Sequence, residues 1–111
     1  MMRILIVEDE PLIAMDLEDI LHEASDVDCV WARDVAGGLM QVARGVDFAL
    51  LDFDLGHQTS LPVALRLQAE AIPFCFVSGS LSDLPPAMRR IPSIAKPFRA
   101  ADIHRLLTTA A

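Results

Sequence analysis

The chain has 111 residues, enough for one domain with a real core, and its 16 acidic and 9 basic side chains give a formal charge of −7. That acidic balance argues against binding to a nucleic-acid backbone. No apolar run reaches the ~18 residues of a membrane span, and Glu8-Asp9-Glu10 follows the first apolar run too soon for a signal peptide. We therefore expect a soluble, cytoplasmic domain that binds neither nucleic acid nor membrane.

Short apolar runs alternate with helical patterns along the chain. The predicted strands are Ile4–Val7, Cys29–Ala32, Phe48–Leu51, Phe74–Val77 and Ile94–Ala95. The predicted helices cover about 11–24, the stretch after Asp34, Pro62 to about Glu70, and Arg99 to Thr109. The segment Leu81–Arg90 contains Pro85-Pro86 and can form only a short or irregular helix.

The second predicted helix begins after Asp34 and has two glycines near its start. Asp34 is expected to cap it, and Gly37-Gly38 weakens its first turns. We assign its apolar side to four residues: Leu39, Met40, Ala43 and Val46. The two cysteines, Cys29 and Cys75, fit no metal motif and are interpreted as small buried hydrophobic residues.

Alternating strands and helices predict βαβ units, a parallel sheet and right-handed crossovers. In such folds the functional crevice lies beyond the carboxyl ends of the strands. Four of the five strands are followed there by polar side chains: Glu8 and Asp9, Asp52, Ser78 and Lys96. These residues are therefore expected to share one rim of the sheet.

The predicted rim has the groups that phosphoryl transfer needs. Three carboxylates, those of Glu8, Asp9 and Asp52, repel one another unless a cation binds, and Mg²⁺ prefers such hard oxygen ligands. Asp52 is the candidate nucleophile, because a carboxylate can form an acyl phosphate. Lys96 would hold one phosphoryl oxygen by a charge-assisted hydrogen bond, and Ser78 would donate its hydroxyl to another.

Together these motifs resemble a bacterial response-regulator receiver domain, CheY-like, over essentially the whole chain. The motifs are Glu8-Asp9, Asp52, Ser78 and Lys96-Pro97-Phe98. The resemblance implies a flavodoxin-like (βα)₅ fold, a doubly wound parallel five-stranded sheet with strand order 2-1-3-4-5. That order places Cys29 and Cys75 on strands that are not neighbours, so a disulfide between them is not expected.

The resemblance also implies the site. Mg²⁺ would be bound by Glu8, Asp9, Asp52 and the backbone carbonyl of Asp54. Asp52 would accept a phosphoryl group from the phosphohistidine of a sensor histidine kinase or phosphotransfer protein, Ser78 would be the switch hydroxyl, and Lys96 would pair with the phosphate. The Lys96-Pro97 bond would be cis. Such a protein catalyses only its own phosphorylation and dephosphorylation.

The chain departs from the family pattern at the switch. Ser93 stands where receivers often carry Tyr or Phe, and the chain has no Tyr. Phe76-Val77-Ser78-Gly79 resembles the receiver subgroup with a Phe-Ala-Thr-Gly-x-Tyr pattern, with Ser78 in place of Thr and Leu81 near the position of Tyr. Our hypothesis is that the segment Leu81–Arg90 moves on phosphorylation.

Two polar residues near Asp52 leave alternatives open. Asp54 could be the acceptor, although Asp52 directly follows the apolar run and is preferred; Asp54 could also slow hydrolysis by repelling the attacking water. His57 could relay a phosphoryl group, but a solvated loop histidine is the simpler interpretation. Trp31 lies on the predicted second strand and not beside Asp52, so we expect its fluorescence to report Mg²⁺ binding poorly.

Two other functions compete with the receiver hypothesis. Asp52-Phe53-Asp54 resembles the Asp-x-Asp motif of haloacid-dehalogenase-type, Mg-dependent phosphatases, but Gly56 replaces the usual Thr or Val, and of the metal acids expected after the lysine only Asp102 is available. The third hypothesis is a receiver-like binding module that works without phosphate.

The expected organisation is a single receiver domain over residues 1–111 with no output domain, acting by protein contacts with an unknown downstream protein or as a phosphate shuttle or sink. The final helix, Arg99 to Thr109, and the irregular segment before it form the expected docking surface. That expectation rests on family analogy alone.

Overall fold

Five parallel strands form one sheet in the order β2-β1-β3-β4-β5 in the computed structural model, which describes the backbone of residues 1–110 and the side chains of residues 1–108. The strands are β1 (Met2–Val7), β2 (Val27–Ala32), β3 (Phe48–Leu51), β4 (Phe74–Ser78) and β5 (Ser93–Ala95). The helices are α1 (Pro11–Ala24), α2 (Val35–Arg44), α3 (Leu61–Ala69) and α4 (Ala100–Ala110). The predicted fold class and strand order are confirmed, and Ala111 lies outside the described residues.

The three inner strands β1, β3 and β4 are buried on both faces, which explains why they are nearly continuous apolar runs. Along β1, Ile4 and Ile6 belong to a core shared with α1 and α4, whereas Leu5 and Val7 belong to a second core shared with α2 and α3. All four side chains are completely buried. Because apolar side chains fill the buried strands, polar side chains are found where the strands end, and there they can converge.

The apolar face assigned to α2 is partly wrong. Met40 is 59% exposed and Ala43 is exposed, whereas the helix buries Gly38 and Val42. Asp34 caps the helix as expected, since its Oδ1 accepts a hydrogen bond from the amide of Gly37 at 2.8 Å. Gly38 is absent from the predicted face because a residue without a side chain contributes nothing to a hydrophobic pattern.

Gly38 is a point of close approach between α2 and α3. A Cβ atom on this residue would lie 2.9 Å from Cγ2 of Val63, in α3. The predicted Leu39 is half-buried against the core, and Val46 is buried but lies beyond the helix, which ends at Arg44. The buried face of α2 is therefore selected by how closely α3 packs.

The segment between β4 and β5 is irregular, as predicted. It contains two short 3₁₀ turns, Leu81–Asp83 and Pro86–Met88, and buries Leu84 and Met88 in the core. No helix within residues 1–110 has the length and apolarity needed to cross a membrane.

The cysteines are separated as expected. Cys75 is buried in β4, and Cys29 is half-buried in β2. Because β1 and β3 lie between these two strands, the thiols do not form a disulfide.

Candidate functional site

The polar residues predicted at the strand ends meet at one edge of the sheet. The amide of Asp52 donates to the carbonyl of Val7 at 2.9 Å, which holds the end of β3 against the end of β1. The amide of Lys96 donates to the carbonyl of Ser78 at 3.0 Å, which does the same for β5 and β4. The backbone ladder thus delivers side chains from distant parts of the chain to one place.

Lys96 joins two buried carboxylates at this edge. Its Nζ donates to both oxygens of Glu8, at 3.0 and 3.1 Å, and to Oδ2 of Asp52 at 2.9 Å. The residues Glu8 and Asp52 are only 1% and 7% exposed. Charges so far from water need a partner, and one ammonium group serves both acids. The Lys96-Pro97 peptide bond is cis, as expected from the family resemblance.

The electrostatics of this cluster follow from burial and crowding. Burial raises the pKa of Glu8 to about 8, the neighbouring Asp52 adds to the rise, and Lys96 opposes it. Burial alone would lower the pKa of Lys96, but its hydrogen bonds to Asp52 and Glu8 outweigh that effect and raise it. Lys96 is therefore held in its charged form, while two acids compete for one cation.

The residues that follow β1 have the donor set that suits a hard cation. Carboxylate oxygens of Glu8, Asp9 and Glu10 lie within 4.8 Å of one another. Glu10 occupies the N-cap position of α1 without making a side-chain cap hydrogen bond. Asp52 is not a member of this group of three; it is connected to Glu8 through Lys96, which binds both residues. Mg²⁺ takes such oxygen ligands, so the residues present fit this ion.

Ser78 is completely buried at the end of β4. Its hydroxyl lies 3.2 Å from the hydroxyl of Ser80 and accepts a hydrogen bond from the amide of Ser80 at 3.2 Å. Ser80 is the N-cap residue directly before the first 3₁₀ turn. Ser78 is therefore connected directly to the irregular segment that follows it.

Asp54 differs sharply from Asp52 in its surroundings. It is exposed, and its Oδ1 accepts a 2.9 Å hydrogen bond from the amide of Gly56, closing a local turn. Gly56 has φ +89°, and a Cβ on it would lie 3.6 Å from Oδ2 of Asp9. The turn after β3 therefore needs a glycine beside the acid group. His57 is exposed in this loop, as the simpler interpretation expected.

Trp31 has a contact that the sequence did not indicate. Its indole Nε1 donates to the carbonyl oxygen of Glu8 at 2.7 Å. The strand order could have hinted at this contact, because β2 pairs with β1 and Trp31 is opposite Ile6 in the register. As expected, Trp31 belongs to a strand that is not adjacent to β3, the strand before Asp52. Its indole nevertheless reaches the backbone of Glu8, in the loop that carries the acids Glu8, Asp9 and Glu10.

The chain was compared with protein-family models, curated proteins and solved structures to identify its relatives. No protein-family model and no curated protein matches the chain. Among solved structures, the chain is 40% identical to SdrG from Sphingomonas melonis Fr1, covering 99% of this chain and 96% of SdrG with a TM-score of 0.87.

Two further solved structures share the fold. One is a CheY-like response regulator receiver domain from Methylobacillus flagellatus, 22% identical, with 100% of this chain and 99% of that chain covered and a TM-score of 0.86. The other is the response regulator PhyR from Brucella abortus, 27% identical, with 97% of this chain and 46% of that chain covered and a TM-score of 0.84. On this combination of fold, site and similarity, the chain belongs to the CheY-like receiver domains of response regulators, in two-component signalling.

Proposed function

We propose that residues 1–111 act as one receiver domain that accepts a phosphoryl group on Asp52 from the phosphohistidine of a sensor histidine kinase or phosphotransfer protein. One observation carries this proposal: Asp52 is 7% exposed and bound by Lys96 at the rim where the strand ends meet. Burial of a carboxylate beside a cation and a second acid costs stability, and a functional use would account for its presence. Phosphoryl transfer supplies that use.

In the proposed step, an oxygen of the Asp52 carboxylate attacks phosphorus. An O–P bond forms, the N–P bond of the phosphohistidine breaks, and its electron pair stays on that ring nitrogen. Because the other ring nitrogen of the phosphohistidine carries a proton, the leaving group is a neutral imidazole. Lys96 has three N–H donors, so it can bind a phosphoryl oxygen while keeping Glu8. Ser78 donates its hydroxyl to a second phosphoryl oxygen. Positioning and charge stabilisation of this kind account for most catalysis of phosphoryl transfer.

Glu8, Asp9, Asp52 and the backbone carbonyl of Asp54 would hold Mg²⁺. When bound, this ion would neutralise the charge on the transferring phosphoryl group. The support is the donor set, since Glu8 and Asp9 offer carboxylate oxygens within 4.8 Å of each other. Glu10 shares that set but is exposed, and we assign it no role.

Labelling of matched variants tests the acceptor. The full chain is incubated with acetyl phosphate and Mg²⁺, and the acyl phosphate is detected by intact mass. Asp52→Asn should abolish the label, whereas Asp54→Asn should keep it, because the Asp54 carboxylate is exposed and engaged with the amide of Gly56. Labelling of Asp52→Asn to the wild-type level would move the acceptor to Asp54.

We propose a switch that works without an aromatic residue. Once Ser78 turns its hydroxyl toward the phosphoryl group, it gives up its contacts with Ser80, and the segment Leu81–Arg90 loses its fixed start. Leu81 is half-buried against the core near the position of the family's Tyr, and Ser93 is exposed. Amide exchange in 81–90 should change when beryllofluoride and Mg²⁺ are added; equal protection in both states would refute the switch.

The proposed docking surface is the irregular segment together with α4. The segment carries exposed Arg89 and Arg90, and exposed Arg99 directly precedes α4. This is the basic part of the molecule, because residues 55–111 hold six Lys or Arg and three Asp or Glu, whereas residues 1–54 hold three and thirteen. The charge favours an acidic downstream protein. The charge-reversing substitutions Arg89→Glu and Arg90→Glu should weaken the binding of this downstream protein without changing the labelling of Asp52.

The proposed role is signalling, not turnover. We propose that the chain catalyses only its own phosphorylation and dephosphorylation. A single label per chain supports this, whereas sustained release of phosphate from phosphomonoesters would support the phosphatase alternative. A chain that binds no Mg²⁺ at millimolar concentration would instead be a phosphate-independent binding module.

A further inference from the structure

The indole of Trp31 is hydrogen-bonded to the main chain between Glu8 and Asp9, two of the acids that follow β1. Nε1 donates a 2.7 Å hydrogen bond to the carbonyl of Glu8, and that carbonyl belongs to the peptide group joining Glu8 to Asp9. Trp31 lies in the edge strand β2 and is 40% exposed. A side chain at the outer edge of the sheet therefore reaches the backbone of the candidate cation site.

The contact holds a peptide group that strand pairing does not hold. The amide of Glu8 donates to the carbonyl of Ala32 at 3.0 Å, so a backbone hydrogen bond to β2 holds the N–H group of this residue. Beyond Val7 the strand has ended, and a buried carbonyl there needs another partner. The indole provides it, and both backbone groups of Glu8 are thus fixed by β2.

We propose that Trp31 is a positioning residue for the acids Glu8 and Asp9. Its N–H holds their shared peptide group in one orientation, and this orientation sets the directions from which the two carboxylates meet a cation. The inference rests on the proposed function, because it takes Glu8 and Asp9 as Mg²⁺ ligands. Groups that orient metal ligands commonly change metal affinity by roughly 10- to 100-fold. Since Trp31 acts through one neutral hydrogen bond, about 3- to 10-fold is expected.

Coupling of this kind is reciprocal. If the indole affects cation binding, cation binding affects the indole. The guanidinium of Arg33 lies 5.8 Å from the centre of the Trp31 ring, so the ring already sits in an electrostatic field that a nearby divalent charge would alter. Trp31 is the single tryptophan of the chain, and its emission comes from this position alone. The fluorescence should therefore report cation binding, which reverses the expectation drawn from the position of the strand alone.

The affinity is tested by calorimetric titration of Mg²⁺ into the full chain. Trp31→Phe keeps an aromatic ring but removes the N–H donor, and its dissociation constant should rise about 3- to 10-fold. Cys29→Ala is the matched control, because Cys29 is half-buried two residues earlier in β2 and lies opposite Ile4, away from the acids. Its dissociation constant should stay within about twofold of wild type, while urea unfolding confirms that both variants fold.

The fluorescence test uses the wild-type chain and does not depend on any variant folding. Titration with Mg²⁺ should change the Trp31 emission with the same midpoint as calorimetry, and Asp9→Asn should remove that change. Wild-type emission that stays constant at saturating Mg²⁺ would overturn the inference. So would a Trp31→Phe affinity equal to wild type, or equal weakening by Cys29→Ala. Absence of Mg²⁺ binding by the wild-type chain would overturn the proposed function as well.

Discussion

Lys96 donates hydrogen bonds to both carboxylate oxygens of Glu8, at 3.0 and 3.1 Å. The two residues follow β5 and β1, and β3 and β4 lie between those strands in the sheet. The lysine side chain therefore spans the rim and binds Asp52, which follows β3, on the way. Two buried acids share one ammonium, so only one of the two negative charges is balanced when both acids are ionised.

Removing the charge of Lys96 should destabilise the fold. Lys96→Met keeps most of the side-chain length but leaves Glu8 and Asp52 buried without their cation. We expect the free energy of unfolding to fall by about 2 kcal/mol, less than for a fully buried pair because the lysine side chain is 16% exposed. Urea unfolding measures the change, and Mg²⁺ should restore more stability to the variant than it adds to wild type.

The control for that experiment is an exposed ion pair. Arg66 in α3 pairs with Glu70, the C-cap residue of that helix, and the side chains are 52% and 39% exposed. Arg66→Met should cost less than about 0.5 kcal/mol, because water screens the charges. If the two substitutions cost the same, the buried cluster does not contribute to stability in the way that its geometry indicates.

Ser60 offers a prediction of the opposite sign. It is completely buried before α3, and its Oγ has no hydrogen-bond partner among the described residues. A serine at this position usually caps the helix, but this one makes no side-chain cap hydrogen bond. Ser60→Ala should therefore leave stability unchanged or raise it by up to about 1 kcal/mol. A loss of about 1 kcal/mol or more in urea unfolding, as for an ordinary cap, would contradict this account.

Gly38 should resist substitution. Alanine favours a helix over glycine by about 1 kcal/mol, but its Cβ would lie 2.9 Å from Cγ2 of Val63. Overpacking of this kind typically costs about 1–3 kcal/mol, so Gly38→Ala should be destabilising overall. Gly79→Ala is the control, since a methyl group at that position would meet open space, with nothing within 4 Å beyond its two chain neighbours. Thermal unfolding should give a lower Tm for Gly38→Ala than for Gly79→Ala.

The rim could be predicted because parallel strands bring their carboxyl ends to one edge. Each apolar run marked a strand, and the polar residue after it marked a place on that edge. This logic located Asp52, Ser78 and Lys96 without any knowledge of distances. The grouping of Glu8 with Asp9 as a candidate cation site also needed only the types of side chain present.

Other features depended on details that periodicity does not encode. Met40 was assigned to the core because it is apolar, whereas the close approach of α2 and α3 selects Gly38. The contact of Trp31 with the Glu8 carbonyl depends on a side-chain conformation at the sheet edge. The capture of the Asp54 carboxylate by the amide of Gly56 depends on the turn after β3.

The two cysteines should react slowly with alkylating reagents. Burial raises the pKa of Cys75 to about 12, while burial, and then Glu18 and Asp28, raise the pKa of Cys29 to about 11. Because the thiolate is the reactive form, the neutral thiols at pH 8 should react at least about 100-fold more slowly than free cysteine. Mass spectrometry after iodoacetamide treatment should show Cys29 labelled before Cys75, with both labelled rapidly in urea. Rapid labelling of Cys75 in the native chain would contradict the burial of β4.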